Sequence, residues 1–290
     1  MKKLIKILAS ALILISVAAC SKDTTADLSD GDSVLFTVGD NQVTKSEIYN
    51  TMKKQNISAL VYENINNEIY DAKVTLTDDQ IQAAEDQFAD EKLMYGDSFE
   101  QTVQYYGYSD IDDYYDRVIL ANEKQKVLVS DYIDSNLETY QEKYDPKTAI
   151  ILSYTEKENA QAALDMLKDG TSLSDMQSET NYLGSLEPTL ITKVSTDVST
   201  SVLTAIENIK QPEIFANVIE DSTNNTFYVL KVVSTDFEDV KDLLVTNLQS
   251  NSDELSNIIE SYIDEMGLDI YDQDLYDSFA TSYSNLVESN

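Results

Sequence analysis

The sequence predicts an α+β protein that is mostly helical, with a smaller sheet-containing domain inserted between helical segments. In the N-terminal and C-terminal parts of the chain, apolar residues recur every three or four residues, which is the spacing of one helix face. Val240, Leu244 and Leu248 are an example. Between these regions, AIILSY at residues 149–154 and TFYVLKVV at residues 226–233 have the composition of buried strands. These two observations together predict the fold class.

The composition excludes several classes of function. The chain has 290 residues and a net charge of −33, which repels nucleic acid and anionic lipid headgroups. Such a surface attracts basic segments, although acidic residues that only keep the protein dispersed explain it equally well. The absence of histidine and the single cysteine exclude a Ser-His-Asp triad, a His-ligated zinc and an internal disulfide. We expect no cofactor and no nucleic-acid partner.

The first 20 residues predict an export signal with a lipid attachment site. MKKLIKILASALILISVAAC has a basic start, a short apolar run and small residues before Cys20. Its end, VAAC, resembles a bacterial lipobox, which implies cleavage before Cys20 and attachment of a lipid that contains palmitate. An ordinary secretory signal with a chance cysteine is the alternative. Residues 21–32 are polar and are expected to form a tether.

Residues 33–144 carry repeated signals of helix boundaries. A hairpin is expected around Gly39, because strand-like runs flank it at residues 34–44. At four places a Ser or Thr is then followed, three residues later, by an acidic or amide side chain, which is the spacing of a helix-capping pair. These pairs are Thr44/Glu47, Thr77/Gln80, Ser98/Gln101 and Ser109/Asp112. Gly96 and Gly107 predict helix ends, so this region is interpreted as a helical module.

The composition changes after Pro146 and again near residue 236. We predict an α+β domain at residues 145–235, whose strand at 149–154 pairs with the closing strand at 226–233. Residues 236–290 return to helical spacing, with a brief strand and a last helical turn expected at 268–279. Because so short a tail is too small to form a core alone, we expect it to pack on the N-terminal helices.

In this order, the segments resemble the PrsA-like foldase lipoproteins of Gram-positive bacteria, which are related to SurA-type chaperones. The resemblance is carried by VAAC, VLFTVGDNQVTKSEIYNTMKK, YGDSFEQTVQYYGYSDIDDYYDRV and LDIYDQDLYDSF. The central block, from AIILS through ENAQAALDMLKDGTSLSDM and AIENIKQPEI to TFYVLKVV, is similar to a parvulin-type peptidyl-prolyl isomerase domain. The resemblance implies a chaperone on the outer face of the cytoplasmic membrane that acts on unfolded exported proteins. Whether it forms a homodimer is left open.

The reactive positions depart from the parvulin pattern. The family has a histidine where this chain has Ile150, and a Tyr-His pair where it has Phe227 and Tyr228. Since isoleucine cannot form a hydrogen bond and tyrosine does not replace a titrating imidazole, we expect little or no isomerase activity. An active isomerase on the same scaffold is the first alternative. A solute-binding lipoprotein, which would need two doubly wound lobes, is the second.

Two other side-chain clusters were considered as sites. Tyrosines on the N-terminal helices are candidates for client binding, although most of these rings are expected to fill the helical core with their hydroxyl groups at the surface. They are Tyr105, Tyr106, Tyr108, Tyr114 and Tyr115. The acidic set Asp269, Asp272, Asp274 and Asp277 lacks the glycine and glutamate of a calcium loop, so a solvated surface is predicted and no metal site.

Overall fold

The computed structural model describes residues 28–55, 57–179 and 182–287. The predicted signal peptide, Cys20 and tether residues 21–27 lie outside the described residues. The described residues form two compact units: the first combines those up to Tyr62 with those from Gly267 onward, and the second contains those between Glu63 and Met266. Among the described residues, no helix has the length and apolar character that crossing a bilayer requires.

The first unit combines a hairpin with helices from both ends of the chain. Strands β1 and β2 are antiparallel and are joined at Gly39, whose φ of 63° suits glycine in a tight turn. The predicted hairpin is therefore confirmed, as is the capping box of Thr44 and Glu47. The elements are β1 (Val34–Val38), β2 (Asn41–Thr44), α1 (Lys45–Lys54), the start of α2 (Ser58–Lys73) and α13 (Gln273–Ser282).

The interior of the first unit holds aromatic rings and one ion pair. Phe279 is fully buried, and the rings of Tyr62 and Tyr283 stack with centroids 4.5 Å apart. Lys53 Nζ donates to Asp272 Oδ2 at 2.8 Å, and both residues are buried. The brief strand predicted within residues 268–279 is wrong, because that stretch is irregular until Asp272 caps helix α13.

The second unit contains most of the helices. Helix α2 continues into it, and its other helices are α3 (Asp78–Tyr95), α4 (Phe99–Tyr105), α5 (Ile111–Tyr114), α6 (Ala121–Ser135), α7 (Leu137–Tyr144), α8 (Lys157–Lys168), α9 (Leu173–Glu179), α10 (Thr200–Ile206), α11 (Phe237–Gln249) and α12 (Ser252–Met266). A π-helical segment, Tyr115–Leu120, joins α5 to α6. The capping box of Thr77 and Gln80 is confirmed, and Gly96 ends α3 as predicted.

Two of the four predicted capping pairs do not form, although helix α4 does begin directly after Ser98. Ser98 makes no capping hydrogen bond, because a short 3-10 turn, Gly96–Ser98, already gives it helical dihedral angles. At the next start the cap is Asp110 rather than Ser109. The carboxylate of Asp110 accepts from the backbone N–H groups of Asp112 and Asp113.

The sheet of the second unit has five strands in the order β4-β3-β7-β5, with β6 also paired to β7. The strands are β3 (Lys147–Tyr154), β4 (Thr189–Ile191), β5 (Glu213–Ile214), β6 (Ile219–Asp221) and β7 (Thr226–Ser234). The predicted pairing of the first and last long strands is confirmed, with Leu152 opposite Val229. All described strand pairs are antiparallel, whereas a doubly wound solute-binding lobe has a mostly parallel sheet.

Helices that precede the sheet in the sequence and helices that follow it form a separate apolar core. Helices α6 and α7 precede the sheet, and α11 and α12 follow it. Their buried residues are Val129, Ile133, Tyr140, Tyr144, Phe237, Leu244, Val245, Leu248 and Ile258. The predicted class, α+β and mostly helical, is confirmed. The predicted boundaries at residues 145 and 235 both fall inside the second unit and stay a prediction.

Candidate functional site: the central sheet and the tyrosine-rich helices

Ile150 lies on the face of the sheet that packs against helix α8. Side chains alternate between the faces of a strand, so Leu152 and Tyr154 share this face with Ile150. All three belong to one buried cluster with Ala160 and Leu164 of α8. Phe227, opposite Tyr154 in the register, is partly buried against the same cluster. Ile150 and Phe227 therefore contribute to a packed core.

Tyr228 lies on the opposite face of the sheet. It pairs with Ser153 of β3 and with Ile219 of β6, and it packs against the cluster that includes Val202 and Ile206 of α10. The structure therefore does not bring Ile150 and Tyr228 together. A site that depends on both side chains facing one substrate is not formed.

A polar cavity lies beside Tyr228. Its volume is about 430 Å³, and Ser199, Thr223, Asn224 and Asp221 line it together with Tyr228. The Asp221 carboxylate accepts from Ser199 Oγ at 2.8 Å and from Asn224 Nδ2 at 3.0 Å. These side-chain hydrogen bonds, helped by backbone N–H groups of the same turn, lower the pKa of Asp221.

The chemistry of this cavity is limited to hydrogen bonding. Tyr228 contributes a hydroxyl group, which can donate or accept a hydrogen bond. The Asp221 carboxylate already accepts hydrogen bonds from the backbone N–H groups of Thr223 and Asn224 in the same turn. An apolar proline ring would find Val198 and the Tyr228 ring at the cavity wall. The described residues around it supply no imidazole, since the chain has no histidine.

Three of the five candidate tyrosines are structural. Tyr114 donates from its hydroxyl to Glu91 at 2.7 Å, and its ring contacts Phe99 at a centroid distance of 5.7 Å. Burial, followed by this hydrogen bond, raises the pKa of Tyr114. The ring of Tyr115 packs against Phe88 at 5.0 Å.

Tyr108 is the third structural ring. It meets Tyr114 edge-to-face at 5.2 Å, and the Arg117 guanidinium lies 5.1 Å from the centre of its ring. Arg117 is itself held by Glu63, with Nη2 and Oε1 2.7 Å apart. These contacts fix the three rings within the helical layer, so they explain most of the tyrosine content of this segment.

The remaining two tyrosines are exposed, and so are two apolar residues that were not predicted from the sequence as candidates. Tyr105 and Tyr106, at the end of α4, are 82% and 72% exposed. Leu93 and Met94, near the end of α3, are 82% and 77% exposed. We call these four side chains the helix-end residues. The signal available in the sequence was the run LMY immediately before the predicted helix end at Gly96.

Two aspartates of the acidic set near the C-terminus flank one lysine ammonium group, and the other two contact different side chains. Asp272 is buried with Lys53, Asp274 lies 3.6 Å from the same ammonium group, and Asp277 accepts from Gln273. Within residues 28–55, 57–179 and 182–287, no group of three carboxylate, histidine or cysteine side chains is placed to hold a metal ion.

Comparison with known proteins gives structural likeness but no sequence family. No family model matches the chain, and no curated protein matches it. The chain is similar to foldase protein PrsA from Streptococcus pneumoniae, with 16% identity, 88% of this chain and 100% of the other covered, and a TM-score of 0.49. PrsA from Bacillus subtilis shows 18% identity, coverage of 86% and 98%, and a TM-score of 0.40. A peptidylprolyl isomerase (PrsA) from Bacillus cereus shows 11% identity, coverage of 87% and 98%, and a TM-score of 0.45.

Proposed function

We propose that this chain is a chaperone for non-native exported polypeptides, held by a lipid on Cys20 at the outer face of the cytoplasmic membrane. We further propose that its central parvulin-like domain contributes little or no isomerase activity. The observation that carries the proposal is the exposure of the four helix-end residues on the described surface.

Exposed apolar side chains of this size favour binding of other apolar groups. Burial of one large apolar side chain contributes about 1.5–3 kcal/mol, so each of these residues that an unfolded segment covers strengthens its binding without a shaped pocket. Tyrosine rings also offer a hydroxyl group that satisfies polar backbone atoms of the client. The net charge of −33 adds attraction for basic segments and keeps the complex soluble.

The sequence supports the membrane anchor. The chain's only cysteine, Cys20, follows the small residues of a lipobox-like ending. We expect radioactive palmitate to label the protein in a Gram-positive host and Cys20→Ser to abolish labelling. Labelling that persists in Cys20→Ser would refute the anchor while leaving the chaperone proposal intact.

The low isomerase activity follows from the groups on the sheet. Rotation about an X-Pro bond faces a barrier of about 18–20 kcal/mol, and lowering it needs a desolvated pocket with groups that weaken the amide resonance. Ile150 is packed into the α8 face, and Tyr228 lies on the other face, packed against the cluster that includes Val202 and Ile206. This arrangement supports binding of a proline segment rather than its rapid isomerisation.

The chaperone proposal is tested by suppression of aggregation. The probe is reduced lysozyme, a basic secreted client, mixed with the soluble form that begins at residue 21. Replacement of Leu93, Met94, Tyr105 and Tyr106 by serine is expected to weaken client binding by at least about tenfold, because the apolar contact area is lost. Suppression of aggregation falls accordingly.

A matched control carries serine at Val194 and Tyr271, which are 53% and 79% exposed and lie outside the helix-end residues. This control is expected to suppress aggregation as the parent protein does. If the quadruple variant suppresses aggregation as well as the parent, the helix-end residues do not bind clients and the proposal fails.

An active isomerase is the second candidate, and the cavity at Tyr228 favours it. A hydroxyl group that lines a cavity large enough to admit a proline ring can stabilise a twisted amide by hydrogen bonding. A protease-coupled assay with a proline tetrapeptide separates the two functions. We expect the rate to equal that of buffer alone. A measurable rate that Tyr228→Phe lowers would instead establish the isomerase.

A further inference from the structure

Strand β1 of the first unit is an apolar edge strand. Its sequence, VLFTV, contains no charged residue and no proline, and all five residues are exposed. Among the described residues, β1 pairs with β2 and with no other strand. Natural proteins usually protect such an edge with lysine, proline or a covering element. The strand carries none of these three devices, and its one irregularity is a bulge at Leu35, between the paired residues Val34 and Phe36.

The open edge offers backbone hydrogen bonds as well as apolar contacts. In an antiparallel ladder alternate residues bond to the partner strand, so the intervening N–H and C=O groups of β1 point away from β2. The neighbouring strand is less suitable, because β2 has only four residues, three of them polar, and runs directly into helix α1. An added strand would therefore align along β1.

The charges at the two ends of β1 indicate what kind of strand would bind. Asp32 precedes the strand and Asp40 follows it in the turn, and both are exposed. A second copy of this chain pairing antiparallel through β1 would bring Asp32 of one copy near Asp40 of the other. That arrangement opposes like charges. A segment with basic residues at both ends meets these carboxylates favourably.

We propose that the β1 edge captures an extended apolar segment, flanked by basic residues, of a non-native polypeptide by strand addition. The inference rests on the proposed chaperone function and adds a second binding surface, distinct from the helix-end residues, with its own chemistry. Backbone hydrogen bonds make this surface tolerant of client sequence, while the flanking aspartates select charge.

The test uses fluorescence anisotropy of a labelled peptide, KKVTVTVTVKK, with the soluble form of the full chain. A second peptide of the same sequence is N-methylated at alternate residues, which removes the backbone donors of one edge. We expect the methylated peptide to bind at least about tenfold more weakly, since several hydrogen bonds are lost. The acid-flanked peptide EEVTVTVTVEE is expected to bind more weakly than the lysine peptide.

A protein variant tests the same edge independently. Leu35→Lys places a charge on β1 and is expected to weaken peptide binding by about tenfold, as edge lysines prevent strand pairing. The matched control, Val194→Lys, makes an equal change of charge at an exposed position outside any strand and is expected to bind as the parent does. The methylated-peptide comparison needs no variant, so a folding failure of Leu35→Lys leaves the test decisive.

The outcomes separate this inference from the proposed function. Strand addition is refuted if the lysine-flanked peptide and its N-methylated form bind equally, or if Leu35→Lys binds the peptide like the parent. Suppression of lysozyme aggregation would still support the chaperone in that case. If the parent neither binds peptide nor suppresses aggregation, both proposals fail. If Leu35→Lys converts a dimer to a monomer in light scattering, the occupant is a second copy and the inference is overturned.

Discussion

Glu254 is a buried carboxylate whose partners come from a helix that precedes the sheet. It accepts from the hydroxyl of Tyr140 at 2.8 Å and forms an ion pair with Lys143. Burial alone would raise the pKa of Glu254, but the hydrogen bonds from Lys143 and Tyr140 outweigh it and the net shift is downward. The contact joins helices α7 and α12 in the second unit.

We predict that Glu254→Gln destabilises the second unit by about 1–2 kcal/mol at neutral pH, because a charged hydrogen-bonded pair is lost. Since the folded-state pKa lies below the ordinary 4.5, the ionised carboxylate stabilises the fold above that value. This contribution disappears as the pH falls through the folded pKa. Urea unfolding of parent and variant should therefore converge in acid.

The control for this prediction is Glu142→Gln, which changes an exposed carboxylate on the same helix as Tyr140. It should leave the free energy of unfolding nearly unchanged at both pH values. A gap between the parent and Glu254→Gln that persists or grows in acid would contradict the assigned role of the carboxylate.

Single-residue roles were the least accessible to sequence reasoning. The alternation of side chains along one strand can be inferred from its sequence. Which residues of the neighbouring strand share a face with them depends on the register of pairing, which could not be predicted from the sequence. The pairing of Ile150 with Lys231 and of Ser153 with Tyr228 puts Ile150 and Tyr228 on opposite faces. Similarly, Lys53 was not identified as a core residue, because its partner Asp272 lies far away in sequence.

At the scale of elements, helix α13 is attached to the N-terminal part of the chain by a buried ion pair. Asp272 Oδ1 caps α13 by accepting from the backbone N–H of Leu275 at 3.1 Å, while Oδ2 accepts from Lys53. Burial acts to lower the pKa of Lys53, but the hydrogen bond and charge of Asp272 raise it overall. The ammonium also lies 5.0 Å from the centre of the Tyr49 ring.

We predict that Asp272→Asn costs the first unit about 3–5 kcal/mol, because asparagine keeps the helix cap but leaves the Lys53 ammonium buried without its main counter-charge. Hydrogen exchange of the α13 amides would measure the loss. Adding Lys53→Met to Asp272→Asn should recover part of it, since the uncompensated charge is removed.

Asp277→Asn is the matched control, because Asp277 is exposed on the same helix and accepts from Gln273. Its α13 amides should exchange as in the parent. Equal protection in Asp272→Asn and in the control would show that the ion pair contributes nothing to the stability of the first unit.

Elements were predicted well where the signal was local. The hairpin at Gly39, the capping boxes at Thr44 and Thr77, and the two long strands all follow from short-range chemistry. The π-helical segment Tyr115–Leu120 was not predicted, because no local sequence signal marks it. The rings at its start, Tyr114 and Tyr115, contact Phe99 and Phe88, which lie further away in sequence. Ser98 failed as a cap because the preceding turn had already become helical.

At the scale of the whole molecule, the two units differ in how their residues are distributed along the chain. The second unit is continuous in sequence from Glu63 to Met266, whereas the first needs segments from both ends. We predict that removing residues 267–290 unfolds the first unit and leaves the second intact. The physical reason is that α1 loses α13 and Lys53 loses Asp272 together.

Limited trypsin digestion checks this prediction. Cleavage after Lys53, which is 1% exposed in the full chain, should become fast in the truncated protein. Cleavage after Lys147, which is buried in the second unit, should stay slow and serves as the internal control. Continued protection of Lys53 after truncation would contradict the prediction.

The split origin of the first unit also has a consequence for the timing of its folding. During synthesis the hairpin and α1 are made before the second unit, whereas α13, which packs with them, is made after it. The hairpin and α1 therefore remain without this partner until the whole intervening polypeptide has been made. Synthesis of α13 is thus the step that allows the first unit to close.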